Sequence, residues 1–358
     1  MYKCKRLRVK VCVVAALDDI AKCVVEKGVS SLVACGCAKR GQGAWRRETG
    51  GDTAVFFDLA SVTKPMTALA VARSGIDRNA PLATYLPELA ATASGHVALE
   101  LFLAHRAGME AHLALFEPLT RGEAVDRASS LRRVADARRE DARGEPPPGG
   151  FAPLYSDLGY ILAGEALARA SGEDDAGDAI ARFALEPLGL GDRIGTARQL
   201  EARREDLTKS AAPTEVVGWR GGAIVGRVHD ENAWALTERG GSGHAGMFGT
   251  IDGVMRFGCA VLDAIERERP QLEWLVRARP GGTLRAGFDG KSAEGSSAGE
   301  RMGPRSFGHL GFTGTSLWID PDAAVVVALL TNRVHPTRDN VAIRAARAWV
   351  HDALYERA

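Results

Sequence analysis

Ser61 and Lys64 stand three residues apart in the run Asp58-Leu59-Ala60-Ser61-Val62-Thr63-Lys64-Pro65-Met66-Thr67. On a helix that spacing puts an amine one turn above a hydroxyl, on the same face. A serine hydroxyl is a poor nucleophile at its free pKa, and a neighbouring base is what activates it. The helix is legible around the pair. Val55, Phe56 and Phe57 precede the run, and Met66, Leu69, Ala70 and Val71 continue it at helical spacing. Pro65 fits if it falls in the first turn, where a missing N–H costs little. The hydroxyl then sits at a helix N-terminus, where backbone N–H groups and the dipole favour developing negative charge. A helix cap followed by a surface lysine has the same spacing, so the tetrad alone does not decide between the two.

Two further stretches bear on it. Tyr155-Ser156-Asp157 follows the chain break Pro146-Pro147-Pro148-Gly149-Gly150, at the mouth of a helix. That is a loop held by rigid elements, where functional side chains concentrate; read alone, Ser156 or Asp157 caps the helix and Tyr155 packs the loop. Gly308-His309-Leu310-Gly311-Phe312-Thr313-Gly314-Thr315 opens a strand into Leu317-Trp318-Ile319. Glycines there let a ligand or a second backbone approach closely, and they also suit a simple bulge.

Ser61-x-x-Lys64, Tyr155-x-Asp157 and His309-x-Gly311 occur in the order and rough spacing of the serine β-lactamase and penicillin-binding protein superfamily. The chain most resembles the class C β-lactamase-related branch, with its D-alanyl-D-alanine carboxypeptidases, D-aminopeptidases and β-lactamase-fold esterases. Leu103 to Gly108, Val228 to Trp234 and Gly243 to Thr250 also look like this branch, and the resemblance runs from about residue 17 to 356. It implies a serine hydrolase working through an acyl-enzyme on Ser61, with Lys64 and Tyr155 forming the base. It implies an oxyanion hole from the N–H groups of Ser61 and Phe312, and substrate contacts at Asp157, His309 and Gly311. It implies no metal or organic cofactor. The implied partner is a small acyl substrate: an ester, a D-amino acid peptide or a β-lactam.

Two positions depart from the usual pattern. The second motif commonly ends in Asn, and here it ends in Asp157; a carboxylate cannot donate to a substrate amide carbonyl as an amide can. The third commonly begins with Lys, and here it begins with His309, mostly neutral at pH 7. Both changes favour esterase or peptidase-like activity over β-lactam hydrolysis. A true β-lactamase is the alternative, as is a penicillin-binding or sensing protein that acylates without efficient turnover. His105, His229, Asp230 and His244 offer no helical metal-binding pair and read as packing or supporting groups, with His229 and His244 near the cleft.

The elements that must position these residues follow from patterning. Leu17 to Lys27 reads as an amphipathic helix ended by Gly28, Val29 to Gly36 and Ala44 to Glu48 as strands, and residues 117–145 as a polar helical face. Ser156 to Ser171 and Val341 to Tyr355 read as helices, and Ser316 to Ile319 with Ala323 to Leu330 as a hairpin across Asp320-Pro321-Asp322. Strands at both ends and helices between predict an α/β (α+β) chain, an antiparallel sheet flanked by helices. A single domain over 1–358 is expected, with an α/β lobe at about 1–75 and 215–358 and an all-helical lobe at about 76–214 inserted into it. The Gly/Ser-rich stretch 281–299 reads as a mobile loop.

Composition sets the bounds. The chain has 358 residues, 46% hydrophobic and 25% charged, with a net charge of +1. Nothing in that balance points to nucleic acid, and no run is apolar enough for a transmembrane segment. Five of six cysteines lie in the first 37 residues without metal-binding spacing, which suits reduced thiols and a cytoplasmic protein. Lys3 to Lys10 followed by Val11 to Leu17 resembles a short signal peptide, so export is the alternative.

Overall fold

The computed structural model describes residues 16–203 and 205–358, so the signal-like stretch over residues 3–15 lies outside the described residues. Its centre is a six-stranded antiparallel sheet. The strands are β1 (Val33–Gly41), β2 (Ala44–Gly51), β3 (Asp289–Gly290), β4 (Phe307–Leu310), β5 (Ser316–Asp320) and β6 (Val325–Thr331). They lie in the order β2-β1-β6-β5-β4-β3. β1 pairs with β6 from Val33 opposite Thr331 to Lys39 opposite Val325, so the two ends of the chain share one sheet.

Both faces of this sheet are covered, which is why its central strands read as continuous apolar runs. Along β6, Val325, Val327 and Leu329 face one cluster while Val326, Ala328 and Leu330 face the other, the two-residue alternation of a pleated strand. The first cluster is closed by helices α1 (Leu17–Glu26) and α6 (Ile343–Arg357), the second by α5 (Ile251–Arg267). Cys35 and Cys37 share the α1/α6 face as buried free thiols, and burial raises both, to about 12 and about 11.

Helix α2 (Thr63–Arg73) runs through the middle of the molecule with Thr63 to Val71 entirely buried. Around it lie α3 (Arg127–Asp136), α4 (Asp157–Ser171) and several short turns. The stretch 76–214 is not wholly helical: Ile194–Thr196 is a strand paired with Met247–Gly249, which also pairs with Phe57–Asp58.

Three local expectations need correction. Residues 117–145 form a short helix, Glu117–Thr120, and then α3, because Gly122 takes φ 74° and Arg138 turns away to bridge Met109. β1 runs on to Gly41, and a two-residue turn at Gln42 and Gly43, both at positive φ, closes the hairpin. The stretch 281–299 is anchored: Ala286, Phe288 and Ala298 are buried, and β3 pairs with β4. Among the described residues no helix is long and apolar enough to cross a membrane.

Candidate active site

The segment before Ser61 is a braced corner. Phe57–Asp58 pairs with Phe248 and Gly249, and the chain then turns through Ala60, at φ 47°, into a 3₁₀ turn, Ala60–Val62. A non-glycine residue in that region holds strain of about 1–3 kcal/mol, which persists only when its surroundings enforce it. Here Asp58 does so. Its buried carboxylate accepts the N–H groups of Ala60 at 2.8 Å and His229 at 2.6 Å. Ser61 is the second residue of the 3₁₀ turn, so its N–H is a first-turn donor with no carbonyl beneath it.

Lys64 has no solvent exposure. Its Nζ donates to Ser61 Oγ at 2.9 Å and to Asp157 Oδ1 at 2.6 Å, and lies 3.5 Å from the His244 carbonyl. Burial pushes the ammonium down, but Asp157 and Tyr155 outweigh it and hold Lys64 above its ordinary value. Asp157 is the counterpart: burial pushes its carboxyl up, Lys64 and His244 pull it down, and the net shift is downward. The His244 carbonyl reaches Lys64 because Gly243 lets its loop lie on α4; a Cβ there would overlap the Tyr160 carbonyl.

Ser156 caps α4, its Oγ accepting from Gly159 N–H. Tyr155, just before it, is 36% exposed along the cleft. Its ring stacks on His105 at 4.7 Å, and Lys64 Nζ lies 4.8 Å from its centroid. Burial raises the phenol above its ordinary value, against the pull of Lys64. His105 Nδ1 accepts the Ser156 N–H at 3.0 Å, which places its proton on Nε2. His309, on β4, does the reverse: Nδ1 donates to the Leu310 carbonyl at 2.8 Å.

The buried histidines carry a stability prediction. Burial holds His309 down to about 3 and His351 to about 4, and His105 well below 6.5. The unfolded chain takes up protons at these rings below about pH 6.5, protons that the folded chain refuses. Stability therefore falls as pH drops from there toward each folded value. Each ring contributes about 1.4 kcal/mol per pH unit in that window. Thermal melts stepped from about pH 7 to about pH 5 should show a steep loss; a flat melting temperature would contradict neutral burial.

Beyond β4 the chain turns through Gly311 and Phe312. Thr313 Oγ1 donates to the Asp58 carbonyl at 2.7 Å and Thr315 Oγ1 to the Leu59 carbonyl at 3.0 Å. These two bonds fix the turn against the corner that presents Ser61. Only glycine fits at 311: a Cβ would overlap Thr315 Oγ1 and stand 2.7 Å from the Leu59 carbonyl. The Phe312 N–H has no acceptor among the described residues. The Phe312 ring, 49% exposed, stacks on His229 at 5.8 Å.

Ser61, Tyr155, Asp157, Gly311 and Phe312 all line one cleft of about 460 Å³. His309 is buried behind it, its ring 6.0 Å from Tyr155. Of the four supporting residues, His229 and Asp230 line the cleft, whereas His244 and His105 sit beneath it. His244 Nε2 bonds Asp230 Oδ1 at 2.8 Å, and His229 Nε2 bonds Glu215 Oε2 at 3.0 Å. Sequence reading missed the cationic wall. Arg333, Arg344 and Arg347 line the cleft with no carboxylate within 4 Å among the described residues, while Arg338 is matched by Glu215 and Glu231. In the sequence they are scattered through a polar stretch and a helix, and no spacing marks them. Among the described residues no group of three or more His, Cys, Asp or Glu side chains could hold a metal ion.

A serine hydrogen-bonded to a buried lysine at the mouth of a central helix, beside an antiparallel sheet, is an arrangement that could serve a serine hydrolase. The sequence model of the beta-lactamase family matches residues 17–350, and the chain belongs to that family as a serine hydrolase. It is 29% identical to Esterase EstB of Burkholderia gladioli over 89% of this chain and 87% of that one. Its fold is similar to that of EstCE1, a hydrolase with promiscuous acyltransferase activity (TM-score 0.67, 18% identity, 95% of this chain and 97% of that one). It is also similar to a D-stereospecific amidohydrolase from Streptomyces sp. (TM-score 0.62, 15% identity, 90% and 94%).

Proposed function

We propose that the protein is an esterase-type hydrolase in which Ser61 is the nucleophile, Lys64 and Tyr155 together form the base, and the Ser61 and Phe312 N–H groups form the oxyanion hole. The observation that carries this is the Lys64 Nζ to Ser61 Oγ hydrogen bond of 2.9 Å, made by a lysine without solvent exposure. Ser61 Oγ attacks the substrate carbonyl carbon while its proton passes to the base. The oxyanion accepts the two N–H groups and collapses, the alcohol leaves with the proton, and water repeats the cycle on the acyl-enzyme.

Three features support esters over β-lactams: the carboxylate at 157, a neutral His309, and the likeness to Esterase EstB over most of both chains. One observation favours the second reading. Arg333 and Arg344 supply, elsewhere in the cleft, cationic charge that a β-lactam or peptide carboxylate could meet.

The test is hydrolysis of p-nitrophenyl butyrate beside nitrocefin, by wild type and Ser61→Ala. Ester turnover lost in the variant, with little nitrocefin cleavage, is expected. Faster nitrocefin cleavage would make the second reading correct. Turnover that survives Ser61→Ala would remove Ser61 as the nucleophile.

A further inference from the structure

Arg347 is a buried cation that pairing does not explain. It is 8% exposed, and no carboxylate lies within 4 Å of it among the described residues. Burying an unpaired charge is costly, so its contacts need a reason. Its Nη2 donates to two carbonyls, Gly311 at 2.7 Å and Thr315 at 3.0 Å, while Nε has no partner among the described residues. Those carbonyls close the turn that holds Phe312: Gly311 N–H donates to Thr315 O at 2.8 Å, and Gly314 N–H donates to Gly311 O at 3.1 Å.

The Gly311 carbonyl belongs to the same peptide unit as the Phe312 N–H. A charged donor on the oxygen of an amide draws electron density toward that oxygen and makes its N–H a stronger donor. It also fixes the peptide plane, and so the direction in which the N–H points. The next carbonyl, Phe312 O, is held by Arg333 Nε at 2.7 Å. Both peptides flanking the Phe312 Cα are therefore pinned from behind by guanidinium groups.

We infer that Arg347 is a positioning residue for the oxyanion hole, polarising and orienting the Gly311–Phe312 peptide so that its N–H meets the developing oxyanion. The inference rests on the reading of Phe312 N–H as an oxyanion donor. It predicts an effect larger in the transition state than in the ground state, because the N–H bonds the oxyanion more strongly than it bonds a neutral carbonyl.

The variants are Arg347→Met and Arg347→Lys, assayed with p-nitrophenyl butyrate, a butaneboronic acid inhibitor and isotope-edited infrared spectroscopy of the acyl-enzyme carbonyl. Arg347→Met should lower kcat about tenfold, less than the loss of a whole donor, with KM within about twofold. Boronate affinity should fall by the same factor as kcat. The acyl carbonyl stretch, shifted down in the wild type, should move back toward that of the free ester. Arg347→Lys, which keeps one charged donor, should recover part of each effect, and it carries the test alone if the Met variant does not fold. A wild-type stretch equal to that of the free ester would end the oxyanion reading and the inference with it. A wild-type downshift kept in both variants, or a rise in KM at unchanged kcat, would end the inference alone.

Discussion

Lys64→Met is expected to lower kcat/KM for p-nitrophenyl butyrate by about 10³-fold or more, toward the upper end of what a positioned general base contributes. The change removes the cation that touches Ser61 Oγ and leaves a side chain of similar length. Groups that act as a unit fail together, so the loss should approach that of Ser61→Ala. Stability should also fall, by about 3–5 kcal/mol, because breaking a buried pair leaves the other charge uncompensated; Asp157 is only 23% exposed. The two effects separate in the double variant Lys64→Met/Asp157→Leu. Replacing both charges with apolar groups should restore much of the melting temperature and none of the activity. Activity returning with stability would mean that Lys64 matters only as a structural ion pair.

The elements of the fold differ in how legible they are from the sequence. The central strands were legible because they are buried on both faces and β-branched, as Val325 to Leu330 shows. The helix after Ser61 was legible from apolar spacing and Pro65, and its uniform burial follows from the same residues. The region 117–145 was not. Its Arg, Glu and Asp are compatible with a helix, and Gly122 at positive φ together with the Arg138 bridge to Met109 decides against a continuous one. Residue types and motif spacing named the centre of the candidate cleft, Ser61, Tyr155, Asp157, Gly311 and Phe312. The Asp58 brace, the threonine tethers and the arginine wall carry no such signal. The brace and the tethers depend on contacts between segments more than a hundred residues apart, such as Thr313 with Asp58, and the arginines on contacts between separate elements, such as Arg347 with Gly311; no local pattern records either.

Asp157→Asn should move the pH profile more than any other single change at the site. In the wild type Lys64 is held above its ordinary value and Tyr155 is raised, so at neutral pH both carry protons and neither can accept one from Ser61. One proton must leave first, and kcat/KM should climb with pH well into the alkaline range. The substitution removes the anion that sustains the Lys64 ammonium. Burial, the largest influence on that group, is then opposed chiefly by Tyr155 and drives its pKa down from the wild-type value. Asp230, with its His244 partner, stays nearby and keeps part of the opposing pull, so the shift is downward without being that of an isolated buried lysine. The alkaline limb should therefore move acidward, and ester turnover at about pH 7 should rise about tenfold or more. The new amide also gains N–H donors for a substrate amide carbonyl, so nitrocefin cleavage should rise with it. Full pH profiles of kcat/KM for both substrates check this. A limb that stays in place would show that the Lys64 proton is not the one that must leave, and would pass the role of base to Tyr155.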